Sequence, residues 1–150
     1  MGLEFFLAAK PAQKGNSKLI YRTGYRGAGP TRVVSNPRDK AAEIKLTALA
    51  RTYRPLRPLE GALRLDVEFV LPIPASWSKR QRAEALAGVI LPTSRPDRGN
   101  LLKNLEDCLQ SAGFYLDDSQ IVAGEVGKRY GDPVGYRVRL SPVAGPEAGL

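Results

Sequence analysis

The chain has no histidine and a single cysteine, Cys108. Without imidazole it can hold no Ser-His-Asp triad, no histidine-based zinc site and no histidine-dependent nuclease centre. A lone thiol excludes an intrachain disulfide and a multi-cysteine zinc site, and it fits a reducing compartment, so a cytoplasmic location is expected. Long apolar runs are missing as well. No stretch approaches the roughly 20 residues that span a bilayer, and no basic flank precedes the short apolar run Leu3 to Ala9, so neither a membrane partner nor a leader is expected. Gly2 carries no myristoylation signal, because Phe6 stands where that motif needs Ser or Thr. Acidic residues are scarce in one half: between Lys10 and Arg57, twelve basic residues face only Asp39 and Glu43. Any enzymatic chemistry must therefore run on carboxylates, Lys or Arg, and a metal.

What is present bounds the rest. At 150 residues the chain is long enough for one domain with a real core and short for two. Its formal net charge of +8 makes a polyanion the natural partner, since Lys and Arg gain affinity by displacing counterions from phosphate; the plainer alternative is a merely soluble cationic surface. Tyr21 and Tyr25 sit among these cations, where an aromatic either stacks on an unpaired base or packs within a β-hairpin.

Periodicity gives a mixed order of elements. A first strand is expected at Leu3 to Ala9, followed by a flexible basic segment over 11–36, rich in Gly and Pro, with a short extended run at Thr31 to Val34. Asn36-Pro37 opens a helix to about Tyr53 that offers Ala42, Ile44, Leu46 and Leu49 for burial. Ala62 to Leu71 alternates cleanly, with Leu63, Leu65, Val67 and Phe69 on one face and Arg64, Asp66 and Glu68 on the other. A short cationic helix capped by Ser76 or Ser78 runs to about Ala87. An amphipathic helix follows from Gly99 to Ala112, stopped by Gly113. Gln120 to Tyr130 and Gly135 to Leu140 read as two strands joined by a turn at Gly131-Asp132-Pro133, and the tail 141–150 is expected to fray. The fold class is α+β: a mixed sheet of about five strands with helices packed against it.

Chemistry concentrates in two acidic clusters joined by the amphipathic helix: Arg95-Pro96-Asp97-Arg98-Gly99-Asn100-Leu101-Leu102-Lys103, then Gly113-Phe114-Tyr115-Leu116-Asp117-Asp118-Ser119-Gln120. Oxygen-only ligands suit a hard cation such as Mg2+, bound by one or two carboxylates together with phosphate oxygens. A purely structural reading stands beside this one, in which Asp97 caps the helix and Asp117-Asp118 makes a turn before a strand.

The order of these motifs, with Glu106-Asp107, Ile121-Val122 and Lys128-Arg129-Tyr130-Gly131, resembles the RusA family of Holliday junction resolvases, common in phages and prophages. Pro72-Ile73-Pro74-Ala75-Ser76-Trp77-Ser78-Lys79 is also similar. The resemblance is dense from Pro72 to Leu140 and loose before it. It implies a homodimeric endonuclease, dependent on Mg2+ or Mn2+, that nicks symmetric strands of a four-way DNA junction in recombination and repair. Asp97, Lys103 and Asp118 fall on the family's catalytic positions, Asp97 and Asp118 as metal ligands and Lys103 as a stabiliser of charge in the transition state. Gly99 departs from the pattern, standing where the family has a second aspartate. Two readings follow, an active resolvase and a member that binds junctions but cuts poorly; a basic nucleic-acid-binding module outside recombination is a third.

Helix geometry supplies a candidate replacement. At ~100° per residue, positions 99, 103, 106 and 110 fall within roughly one 60° arc, so Glu106 points the way a carboxylate at 99 would, with its backbone ~10 Å further along the axis. Glu106, with Asp107 as the lesser candidate, is expected to complete the metal set; the plainer alternative is an i,i+3 pair with Lys103. Lys79, Arg80, Arg95, Arg98, Lys128 and Arg129, with Arg22 and Arg26 in the basic segment, are the candidate phosphate contacts.

Overall fold

The computed structural model describes residues 2–12, 18–21, 30–34 and 37–143. Along the chain these form β1 (Leu3–Leu7), β2 (Lys18–Tyr21), β3 (Pro30–Val34), α1 (Pro37–Arg51), β4 (Leu63–Leu71), α2 (Lys79–Leu86), α3 (Arg98–Ala112), a 3-10 turn (Asp118–Gln120), β5 (Ile121–Ala123), β6 (Val126–Tyr130) and β7 (Gly135–Pro142).

Alternation makes β4 the centre. Leu63, Leu65, Val67 and Phe69 are buried on one face, and strand pairing runs out from β4 on both edges. On one side β7 pairs antiparallel with β4 and with β1; on the other, β5 and β6 both pair parallel with β4, one after the other. The result is a mixed five-stranded sheet with a separate β2–β3 hairpin, an α+β fold. The basic segment thus contains regular structure that its Gly and Pro content hides. Arg22, Tyr25 and Arg26 lie outside the described residues.

The expected single strand over Gln120 to Tyr130 is two. The break comes at Gly124, whose backbone runs so close to β4 that a Cβ there would lie 1.7 Å from the Leu65 carbonyl oxygen. With φ at 149°, the position admits only glycine. Asp66 holds the next residue, its Oδ1 accepting from the Glu125 N–H at 2.8 Å.

One sheet face packs on α1 and α3 in a core that includes Phe5, Leu7, Leu105, Leu109, Phe114 and Leu140. In α1 the buried residues are Leu46, Thr47 and Ala50; Ala42 and Ile44, expected inside, are exposed. Thr47 is accommodated because its hydroxyl donates to the Glu43 carbonyl at 2.8 Å, which lets a polar side chain complete the i, i+3, i+4 stripe. α3 follows its periodicity, burying Leu101, Leu105, Cys108, Leu109 and Ala112, and ends at Gly113 in the left-handed region, φ 95°. Ser78 caps α2 with a full capping box to Gln81, and α2 rests on a smaller cluster of Leu71, Ala85 and Tyr130 with Ile73, Trp77 and Ile90. The first strand stops at Leu7 rather than Ala9, and Ser141 and Pro142, expected to fray, extend β7.

Candidate active site

The two acidic clusters sit at the two ends of α3. Asp97 is the N-cap, its Oδ2 accepting from the Asn100 N–H at 3.3 Å, so the capping role read from sequence is real. The loop that delivers it is pinned to β6. Lys128 Nζ donates to the carbonyls of Ser94 at 3.1 Å and Pro96 at 3.0 Å, and Arg98 Nη1 donates to the Val126 carbonyl at 3.2 Å. Gly99 leaves room beside the cap: a Cβ there would meet Asp97 Oδ2 at 3.4 Å, ordinary contact. An aspartate at 99 would therefore set its carboxylate next to that of Asp97.

At the other end, Asp118 opens the 3-10 turn, its backbone N–H donating to Gln110 Oε1 at 3.2 Å. Asp117 caps the turn by accepting from the Ser119 N–H at 2.9 Å; that bond holds its carboxyl below the usual range. Gln120 fixes the segment from both sides, accepting from the N–H groups of Leu116 and Asp117 at 3.1 Å and donating to the carbonyls of Leu59 at 2.9 Å and Gly61 at 3.0 Å. Sequence reading missed Gln110 and Gln120 as positioning residues. The Asp-x-x-Gln spacing of a capping box was the available signal for Gln120.

Glu106 belongs to this second end. Burial pushes its carboxyl up, the charges of Asp118 and Asp107 push it further, and Lys103 partly offsets them. Burial, then Glu106, Asp118 and Asp107, likewise raise the phenol of Tyr115, whose hydroxyl donates to the Glu106 carbonyl at 2.6 Å. Glu106 also borders a cleft of about 200 Å³ between α3 and the β5–β6 edge, lined by Leu65, Leu102, Ile121, Ala123, Gly124 and Val126. Lys103 lies exposed on the same side of α3.

Length separates the two ends. α3 has 15 residues, which at 1.5 Å per residue is ~22 Å, with Asp97 before its first turn and Asp118 held by Gln110 in its last. Among the described residues, no three His, Cys, Asp or Glu side chains gather closely enough to hold a metal.

The predicted cations divide. Lys79 and Arg80 are exposed on α2, Arg80 pairing with Glu84 at 3.1 Å, and Arg95 is exposed. Lys128 and Arg98 hold the Asp97 loop as described. Arg129 is tied to Glu68 and donates to the Tyr130 carbonyl.

Carboxylates and a lysine thus lie along one helix of an α+β fold, in a chain carrying +8 and no imidazole. The sequence model described as Endodeoxyribonuclease RusA matches residues 9–141, and the chain belongs to that family, one of Holliday junction endonucleases. It is 26% identical over 144 residues to "Uncharacterized protein YqaN" of Bacillus subtilis (strain 168), covering 95% of this chain and 97% of that one. It is 56% identical over 36 residues to "Crossover junction endodeoxyribonuclease rusA" of Lactococcus phage r1t, a match covering 24% of this chain and 28% of the phage protein. Among the described residues no helix is long and apolar enough to cross a membrane.

Proposed function

We propose that this protein nicks four-way DNA junctions with Mg2+ or Mn2+ as a two-fold dimer in which Asp97 of one protomer and Asp118 of the other serve one metal. The observation that carries this reading is the placement of the two carboxylates at opposite ends of a 15-residue helix. Two α3 helices related by a two-fold axis and running antiparallel would set each Asp97 against its partner's Asp118 twice over, matching the paired scissile strands of a junction.

The donor set fits a hard cation. All candidate ligands are carboxylate oxygens, and Glu106, whose carboxyl is raised first by burial and then by the charges of Asp118 and Asp107, has acidic neighbours whose repulsion a cation would relieve. Glu106 would join Asp118, with Asp107 as the lesser candidate. When bound, the ion would polarise a phosphate oxygen and lower the pKa of water. Lys103, one helical turn from Glu106, would meet the negative charge added at phosphorus or on the leaving oxygen. Lys79, Arg80 and Arg95, all exposed, would bind flanking phosphates, which set register without reading bases.

A nicking assay on a mobile four-way junction tests this. Wild type should cut symmetric strands only with Mg2+ or Mn2+, and Asp118→Asn should bind the junction without cutting it. Cleavage that survives chelation, or equal affinity for linear duplex and junction, would overturn the reading. A second reading, junction binding with weak cleavage, is favoured by Gly99 alone, because the corner beside Asp97 that admits a carboxylate holds none from that position. Junction binding with no metal-dependent nicking would select it.

A further inference from the structure

The turn after α2 presents apolar side chains to solvent in a fixed conformation. Gly88, with φ at 79°, ends the helix, and the Glu84 carbonyl accepts from both Val89 N–H at 2.8 Å and Ile90 N–H at 3.3 Å. Ile90 packs inward on the Leu71, Ala85 and Tyr130 cluster, and Pro92 is buried. Ile90 is thus partly buried and Pro92 buried, while Val89 and Leu91 face solvent. They are 71% and 56% exposed, and Leu86 at the helix end is 54% exposed. Single exposed apolar residues are ordinary, but here three fall within six residues, at the end of α2 and on the turn that follows it.

Its surroundings point to the partner. The loop runs directly from Leu91 into Ser94 and Pro96, the two carbonyls that Lys128 holds, and then into Asp97. The apolar turn and the candidate metal ligand are thus two parts of one segment braced at both ends. Lys79, Arg80 and Arg82 on α2 precede the turn and Arg95 follows it, Arg80 pairing with Glu84 and Arg98 being taken up by the Val126 carbonyl. Cations on both flanks complement a phosphate backbone. The apolar centre complements base faces, which a stacked duplex hides and a branch point exposes.

We infer that Leu86, Val89 and Leu91 form a wedge that enters an opened base step at the branch, while the flanking cations hold the adjacent phosphates. Proteins that kink DNA use apolar side chains of this kind between base steps. The inference rests on the junction-nuclease reading and adds to it the element that distorts the substrate.

The test places 2-aminopurine at the branch of a four-way junction and follows its fluorescence as full-length protein is added without metal. Wild type should raise the signal by unstacking the base. Val89→Ser/Leu91→Ser should keep junction affinity within about threefold, because phosphate contacts carry most of it, yet lose most of the fluorescence rise. Val89→Ile/Leu91→Met should retain the rise. An undiminished rise in the serine variant would overturn the wedge, as would conversion of the serine variant from dimer to monomer in sedimentation, which would make the patch a protein interface. Wild type that binds and nicks junctions with no fluorescence change sinks the wedge alone. Wild type that does not prefer junctions to linear duplex sinks the underlying reading and the wedge with it.

Discussion

Lys128 and Pro96 are joined across the edge of the sheet, the lysine Nζ donating to the proline carbonyl at 3.0 Å and to that of Ser94 at 3.1 Å. The charge sits on β6, and what it holds is the loop that ends in Asp97. Lys128→Met keeps the aliphatic stem and removes the clamp. Nicking should fall at least about tenfold, as misplacement near a reacting centre does. The slope of log affinity against log salt should barely change. A direct phosphate contact would instead reduce that slope by about one.

Gly99→Asp should raise metal-dependent nicking. The new Cβ meets only Asp97 Oδ2, at 3.4 Å, and a carboxylate in the first turn of a helix is favoured by the helix dipole, so thermal unfolding should shift little. Single-turnover rates on a four-way junction decide the matter: an unchanged rate means that Glu106 or another carboxylate already serves this corner. Glu106→Gln should then abolish cutting in the same assay, and unchanged cleavage would remove Glu106 from the metal set.

Gly124→Ala should cost more than ~3 kcal/mol, because the added methyl collides with the Leu65 carbonyl at a backbone φ unsuited to L-residues. Gly127→Ala, three residues on, has nothing within 4 Å of its new Cβ and should be tolerated. Denaturant midpoints of the two variants check the contrast.

Asp66 supplies a pH-dependent contribution to stability. Burial acts to raise its carboxyl, but the Arg64 hydrogen bond, the Glu125 N–H and the charges of Arg64 and Arg139 outweigh burial and hold it below the usual range. A carboxyl depressed in the folded state stabilises above its unfolded pKa, and that contribution is lost as pH falls through the folded value. Asp66→Asn should therefore lower the melting temperature at pH 7 by an amount worth about 0.5–1 kcal/mol, given the partial exposure of the pair. The gap should close below about pH 4. A gap that does not narrow as pH falls below the unfolded carboxylate range would mean that shape rather than charge is at work.

Legibility in the sequence followed the range of the interaction. β4 and α3 were readable because a period of 2 or 3.6 is local, and Asp97 as an N-cap and Gly113 as a stop are local too. The buried stripe of α1 was not, since Thr47 enters the core through a hydrogen bond to Glu43 that composition does not announce. The break at Gly124 depends on Leu65 in another strand. At the site, the helical arc linking Gly99, Lys103, Glu106 and Gln110 was legible, whereas the partnership of Glu106 with Asp118 depends on how the chain returns after Gly113. Lys128 and Arg129 looked like phosphate ligands because their protein partners, Pro96 and Glu68, are distant in sequence.

Mixing two inactive variants tests the shared site most directly. Asp97→Asn and Asp118→Asn, each expected to be inactive alone, are co-expressed and assayed together on a four-way junction with Mg2+. If each metal takes Asp97 from one protomer and Asp118 from the other, a heterodimer keeps one intact site, and the mixture should recover roughly a quarter of wild-type nicking, as single nicks. Were both carboxylates drawn from the same protomer, every site in the mixture would carry a lesion, and a mixture as inactive as its components would contradict the composite centre.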